Sequence, residues 1–407
     1  MKHFLFILLI FLFYSSIFAH NFKSIAVKSD GFLLGKPVIK LGSNEKINIS
    51  FDELNEYARN LQYKIVHCNA DWLPSNLPEI RVYEGGLDNS ISDVSFSFNT
   101  HIDYVHYELK FPDDYTKITV SGNYKLEIYD FSESNEALFE VKFYVSEDNA
   151  DVFGKILQAK GELRQLCHDL TFTVSPQKTS IDFDRIDKNY RFFLQQNGRT
   201  DDFRRIYPSY TNDNGFVFNY NDDLLFYAGN EFRNFDLRSV ENNLQSVEKI
   251  SLEDDYYHIL LRKQKSDASK AYSGNDDING EYVTYVNNKW SPQLEAEYCE
   301  VYFVLESAYL GNDADVYVLG GLSNWEFSDE NVMDYDFEHR CYIASLLLKQ
   351  GFYDYCFAVL PKGETIADIT YFEGSHYETH NNYTLYVYYR SMFDDCDRLL
   401  AVKTIGR

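Results

Sequence analysis

After an apolar start, the chain alternates apolar and polar residues in short bursts broken by turn residues. Over 138–145, Phe139, Val141, Phe143 and Val145 share one side, and Glu140, Lys142 and Tyr144 the other. A period of two marks a half-buried strand. The same pattern predicts strands over 23–27, 37–41, 47–51, 63–68, 94–98, 104–111 and 124–129. So many short strands in one block predict a β-sandwich. A second block, starting near Asp148, predicts strands over 171–174, 190–195, 216–220 and 256–262, with a tight turn at Asn197 and Gly198. A polar stretch over 263–285 reads as a long loop or linker. A third block predicts strands over 300–305, 315–319, 342–348, 353–360, 384–389 and 399–405, with Tyr353, Tyr355 and Phe357 on one face. Helical periodicity is brief; 52–61 is the best short-helix candidate, and the charged 182–191 fits a loop or short helix. The expected fold is all-β, with tandem immunoglobulin-like or early-set sandwiches over 20–148, 149–293 (mostly β) and 294–407.

Composition reinforces that reading. The 34 Tyr and 32 Phe favour pleated, half-buried surfaces. A net charge of −25 repels phosphate backbones and anionic lipid, arguing against nucleic acid and basic-patch membrane docking. Residues 1–19 read as a signal peptide: Lys2 and His3, an apolar run over 4–13, then small residues before a cleavage point at Ala19–His20. Export permits disulfides, yet the six cysteines are scattered and include no CxxC pair; Cys341 and Cys356 are the pair most open to bridging. The 121–124 stretch, SGNY, resembles the tyrosine corner of immunoglobulin-like domains, in which the Tyr hydroxyl ties back to the backbone.

Candidate chemistry concentrates in His67, Cys68, Asn69, Asp71 and Trp72. A Cys nucleophile needs a His within hydrogen-bond reach. Adjacent strand residues point to opposite faces, so His67 and Cys68 should diverge. Asn69 and Asp71 suit a turn, and Trp72 could cap the sandwich end. The 275–280 stretch partly matches a calcium loop, but Val286 stands where a bidentate Glu is required. His376 and His380 have zinc spacing only on a helix, and Gly374 argues for a loop. The 316–325 stretch, VYVLGGLSNW, is similar to glycogen- and starch-binding early-set modules, so Trp325 is either a sugar-stacking platform or a filler of its sandwich edge. A glycan-binding protein is therefore the alternative function. GxSxG, Walker A, GxGxxG and HExxH motifs are absent, so no catalytic, metal or cofactor site is expected.

Several stretches, in order along the chain, resemble the plug protein of the type IX secretion system. They are YKIVHCNADWLPS at 63–75, SFSFNT at 95–100, Phe111–Pro112, SGNY at 121–124, QNGR at 196–199 and AGNEFRNFD at 228–236. DDING at 276–280, LLLKQGFYDY at 346–355, EGSHYET at 373–379 and VYYR at 387–390 complete them. Asn234 and Leu237 depart from the pattern. The resemblance implies a periplasmic, non-enzymatic protein with no small-molecule substrate. Its partner would be an outer-membrane β-barrel translocon of the SprA/Sov type, whose pore it closes until cargo engages. It also marks Gly229, Asn230, Glu231, Phe232, Arg233, Phe235 and Asp236, with the 67–72 residues, as structural or interface positions.

Overall fold

The computed structural model describes residues 22–85, 89–132, 136–177, 189–213, 215–242, 244–253, 256–287 and 289–406. The expected signal peptide, and all but the last residues of the 182–191 segment, lie outside these. The chain is all-β, built as three sandwiches. None of the described helices is long and apolar enough to cross a membrane.

In the first sandwich, one sheet runs Phe22–Ser29, Ile47–Glu53, Val105–Phe111, Asp93–Phe96; the other runs Val38–Lys40, Phe139–Ser146, Gly122–Asp130, Leu61–Cys68. The inward alternates, Ile47, Ile49 and Phe51 against Val141, Phe143 and Val145, meet in one apolar core. The tyrosine corner is present: the Tyr124 hydroxyl donates to Val120 O at 2.6 Å. The helix expected over 52–61 is absent. Asp52 and Glu53 continue a strand instead, both buried, because partners from outside the element hold them.

The middle sandwich does not follow the expected 149–293 and 294–407 partition. Its first sheet holds Ala150–Gln158, Cys167–Pro176, Gly215–Phe218, Tyr210–Asn212 and Leu225–Tyr227. Its second runs Phe203–Ile206, Tyr190–Gln196, Asn382–Tyr389, Arg398–Gly406. The last two strands of the chain thus close the middle core: Leu385, Val387 and Leu400 pack with Leu170, Phe192 and Phe216. Sequence order could not reveal this, since pairing of Tyr190–Gln196 with Asn382–Tyr389 spans nearly two hundred positions.

The third sandwich is inserted between those halves. One sheet is built on Gly351–Pro361, flanked by Arg233–Asp236, Tyr282–Thr284 and Ala314–Leu319. The other carries Val247–Glu253, Tyr256–Leu261, Tyr298–Glu306, Cys341–Lys349 and Asp334–Asp336, with Gln264–Lys265 beside Tyr298–Glu306. Tyr353, Tyr355 and Phe357 do share the core face, with Phe235 stacked on Tyr353 at 5.2 Å. Cys341 and Cys356 fall on different sheets, and all six cysteines are free and buried.

Candidate functional site

The marked residues gather where sandwiches meet. His67 and Cys68 end a strand on opposite faces, as alternation requires. The His67 ring is pinned from both sides, Nδ1 to Ser75 Oγ at 2.8 Å and Nε2 to Ser121 O at 3.1 Å. Burial pulls its pKa down. Burial pushes the Cys68 thiol up to about 11, keeping it protonated. Among the described residues no imidazole bonds the sulfur, whose hydrogen-bond partner is Val66 O at 3.8 Å. Gly122 is required beside this ring. Its φ is +149°, and a Cβ there would lie 2.4 Å from His67 Nε2.

The turn after Cys68 docks on the middle sandwich. Asp397 N–H donates to Asn69 Oδ1 at 3.0 Å, and Ala70 N–H donates to Asp397 Oδ2 at 3.1 Å. Arg191 pairs with the same carboxylate. Nearby, Tyr388 donates to Asn123 Oδ1 at 2.7 Å, and Arg398 grips Glu147 with two bonds of 2.6 and 2.7 Å. Asp71 has only a local task, accepting from Leu73 N–H at 3.1 Å. Trp72, half-buried at φ +64°, lies edge-on to Tyr144, which also packs against Tyr386 of the middle sandwich.

Residues 229–233 form the crossing into the third sandwich, and 373–380 the return. Gly229, at φ +67°, accepts from His376 N–H at 2.8 Å and from the Thr379 hydroxyl at 2.9 Å. Asn230 donates to Glu373 O. Glu231 accepts from the Tyr272 hydroxyl at 2.5 Å and from His380 Nδ1 at 2.9 Å. Arg233 forks onto Glu373 at 2.9 and 3.0 Å, while Glu373 also accepts from Phe357 N–H. Phe235 and Asp236 lie past the crossing. Phe235 is core, and Asp236 holds Arg238 at 2.6 and 2.9 Å. His376 and His380 sit in a loop, as expected.

Trp325 resolves to the filler. It is 5 % exposed, edge-on to Phe232 at 5.8 Å, so no face is open to a sugar. Cβ atoms at Gly198 and Gly280 would come within 2.2 and 2.4 Å of its ring, which shows how tightly three stretches clasp it. The calcium-like stretch is occupied by its own backbone. Asp277 accepts from Phe232 and Asn279 N–H, and Asp354 from Ile278 and Gly280 N–H. Burial pushes these carboxyls up, Asp277 to about 6 and Asp354 to about 7. Among the described residues, no group of three or more His, Cys, Asp or Glu has the geometry to hold a metal.

A third joint, unmarked by sequence reasoning, links the first and third sandwiches. Lys349 donates to Asp52 Oδ2 at 2.6 Å, with both side chains almost fully buried. Tyr298 donates to the same oxygen at 2.7 Å, and His106 bonds the other at 2.6 Å. Burial pushes the Asp52 carboxyl up, but Lys349 and His106 outweigh it and hold it below the usual range. Glu297 accepts from His101 and Ile102 N–H, anchoring the 98–104 loop. The seam keeps a cavity of about 300 Å³ lined by Ser24, Tyr282, Asn324 and Lys349, among others. Lys36 ties all three bodies together. It donates to Thr384 of the middle sandwich, and its charge faces Glu281 of the third. Burial pulls its ammonium down to about 8. Each sandwich therefore touches both others.

The comparisons agree with this architecture. The family model described as type 9 secretion system plug protein 1st domain matches residues 22–147, the first sandwich. A crystal structure of a hypothetical protein from Parabacteroides merdae is similar at 31 % identity and a TM-score of 0.92, covering 95 % of this chain and 98 % of that one. No curated protein matches. With the first sandwich matched by that model and a whole-length relative sharing the fold, the chain belongs to the type IX secretion system plug protein family.

Proposed function

We propose that this protein closes the periplasmic mouth of a type IX secretion translocon, an outer-membrane β-barrel of the SprA/Sov type, until cargo engages. It does so as a folded stopper and performs no catalysis. The carrying observation is the closure of three sandwiches on one another. Buried contacts such as Asp52–Lys349 and Asn123–Tyr388 join bodies that a flexible chain of domains would leave apart. A stopper for a wide pore needs that stiffness. The non-catalytic reading is supported by Cys68, a protonated thiol without an adjacent base, and by His67, whose ring nitrogens are both engaged. Release by cargo calls for a contact that is polar and modest in area rather than obligate.

Deletion of the gene tests this. The deletion strain should admit large antibiotics across its outer membrane, and the wild-type gene should restore the barrier. The tagged protein should co-purify with the translocon barrel. An unchanged barrier together with no barrel in the eluate sinks the reading.

A further inference from the structure

Most exposed apolar side chains stand singly, Met392 and Phe393 form a pair, and one stretch runs to three. Phe32, Leu33 and Leu34 are 69 %, 73 % and 44 % exposed, the only three consecutive large apolar residues in that state among the described residues. They form the tip of the loop joining the strands Phe22–Ser29 and Val38–Lys40.

The loop beneath them is built, not slack. Asp30 N–H donates to Lys46 O at 2.9 Å, Phe32 N–H to Ser29 O at 3.2 Å, and Ser29 Oγ reaches back to Val38 O at 3.3 Å. Asp30 also pairs with Lys110 at 3.2 Å. Gly35 lets the backbone double back, since a Cβ there would lie 2.7 Å from Phe32 Cβ. The Lys36 side chain, next in line, fastens the loop to the middle sandwich. An apolar tip on a fixed base loses little freedom on binding, which is the condition for an efficient anchor.

We propose that the Phe32–Leu33–Leu34 tip is a docking anchor that inserts into an apolar cleft of the translocon. This rests on the plug reading above. Two observations favour a protein cleft over a lipid surface. The chain carries a net charge of −25, which repels anionic headgroups as the tip approaches. The tip also lies within residues 22–147, the part matched by the plug-domain model. A large aromatic with two leucines around it is the side-chain set that fills a desolvated pocket at the centre of an interface.

The test uses the full-length tagged protein and detergent-solubilised outer membranes, with the barrel identified by mass spectrometry. The variant Phe32→Ser/Leu33→Ser/Leu34→Ser should bind the barrel at least about ten-fold more weakly, with an unchanged melting temperature. The control Phe153→Ser, at another exposed site, should bind like wild type. A photo-crosslinking phenylalanine at position 33 should capture the barrel itself. If wild type and the triple variant bind alike, the anchor is overturned and the plug reading stands. If wild type recovers no barrel, both fall. If instead wild type floats with phosphatidylethanolamine–lipopolysaccharide vesicles and the variant does not, the tip is a lipid anchor and the proposal is wrong.

Discussion

Lys349→Met is the sharpest probe of the closed three-body arrangement. The substitution keeps the aliphatic stem and removes one charge from a pair whose side chains are 2 % and 1 % exposed. Asp52 would keep Tyr298 at 2.7 Å and His106 at 2.6 Å, but lose its ammonium partner. Breaking a buried pair by removing one member costs about 3–5 kcal/mol. The surviving hydrogen bonds place this case near the lower end, about 3 kcal/mol. Equilibrium urea unfolding gives the number. Asp52→Asn/Lys349→Met should recover much of the loss, giving a coupling energy of about 2 kcal/mol. The pH dependence follows from the sign of the shift. The folded Asp52 carboxyl lies below its unfolded value, so its contribution is present above about pH 4 and lost as the pH falls further. The gap between wild type and Lys349→Met should therefore narrow in acid. A single-variant loss under about 0.5 kcal/mol, or additive singles, would refute the reasoning.

Four further outcomes are expected. Gly122→Ala should destabilise by about 2 kcal/mol or more, from both the positive φ and the collision with His67, and His67→Ala should relieve part of it in a thermal melt. Asp354→Asn should flatten the stability profile between about pH 4 and 7. A carboxyl raised to about 7 in the fold favours the folded state fully below its unfolded pKa, and that advantage is lost as the pH rises through the folded one. An unchanged slope on urea titration would count against it. Cys68→Ala should complement the deletion strain fully, whereas Asp397→Ala, which strips the Ala70 N–H and Arg191 of their shared carboxylate and leaves the backbone bond to Asn69, should lose about 3 kcal/mol by urea unfolding.

The strands of the first sandwich were legible because each buries one face, so period-two alternation writes itself into residues such as Phe139, Val141 and Phe143. The same holds for Tyr353, Tyr355 and Phe357. The divergence of His67 and Cys68 was legible for the same reason. Strands such as Ala150–Gln158 escaped notice: Phe153 and Leu157 are exposed while Val152 is buried, which blurs the alternation. The assignment of the last strands to the third sandwich had another cause. Nothing local in Asn382–Tyr389 says that its partner is Tyr190–Gln196. The joints were half legible. Resemblance marked Asn69, Arg233 and the stretch that Glu373 opens, but Asp397 and Asp52 look like any acidic residue in so acidic a chain. Their meaning comes only from burial and from partners far along the sequence. Asp52 even misled, since polar residues after Phe51 read as a helix start when in fact Lys349 neutralises one of them inside a joint.

The proposed function is that of a rigid body shutting a pore. Single-channel conductance of the purified translocon barrel in a planar bilayer measures that directly, with this protein added to the periplasmic side. The predicted result is a large open conductance that falls to baseline with wild type and stays open with the Phe32→Ser/Leu33→Ser/Leu34→Ser variant. A conductance that wild-type protein leaves unchanged at saturation would contradict the account.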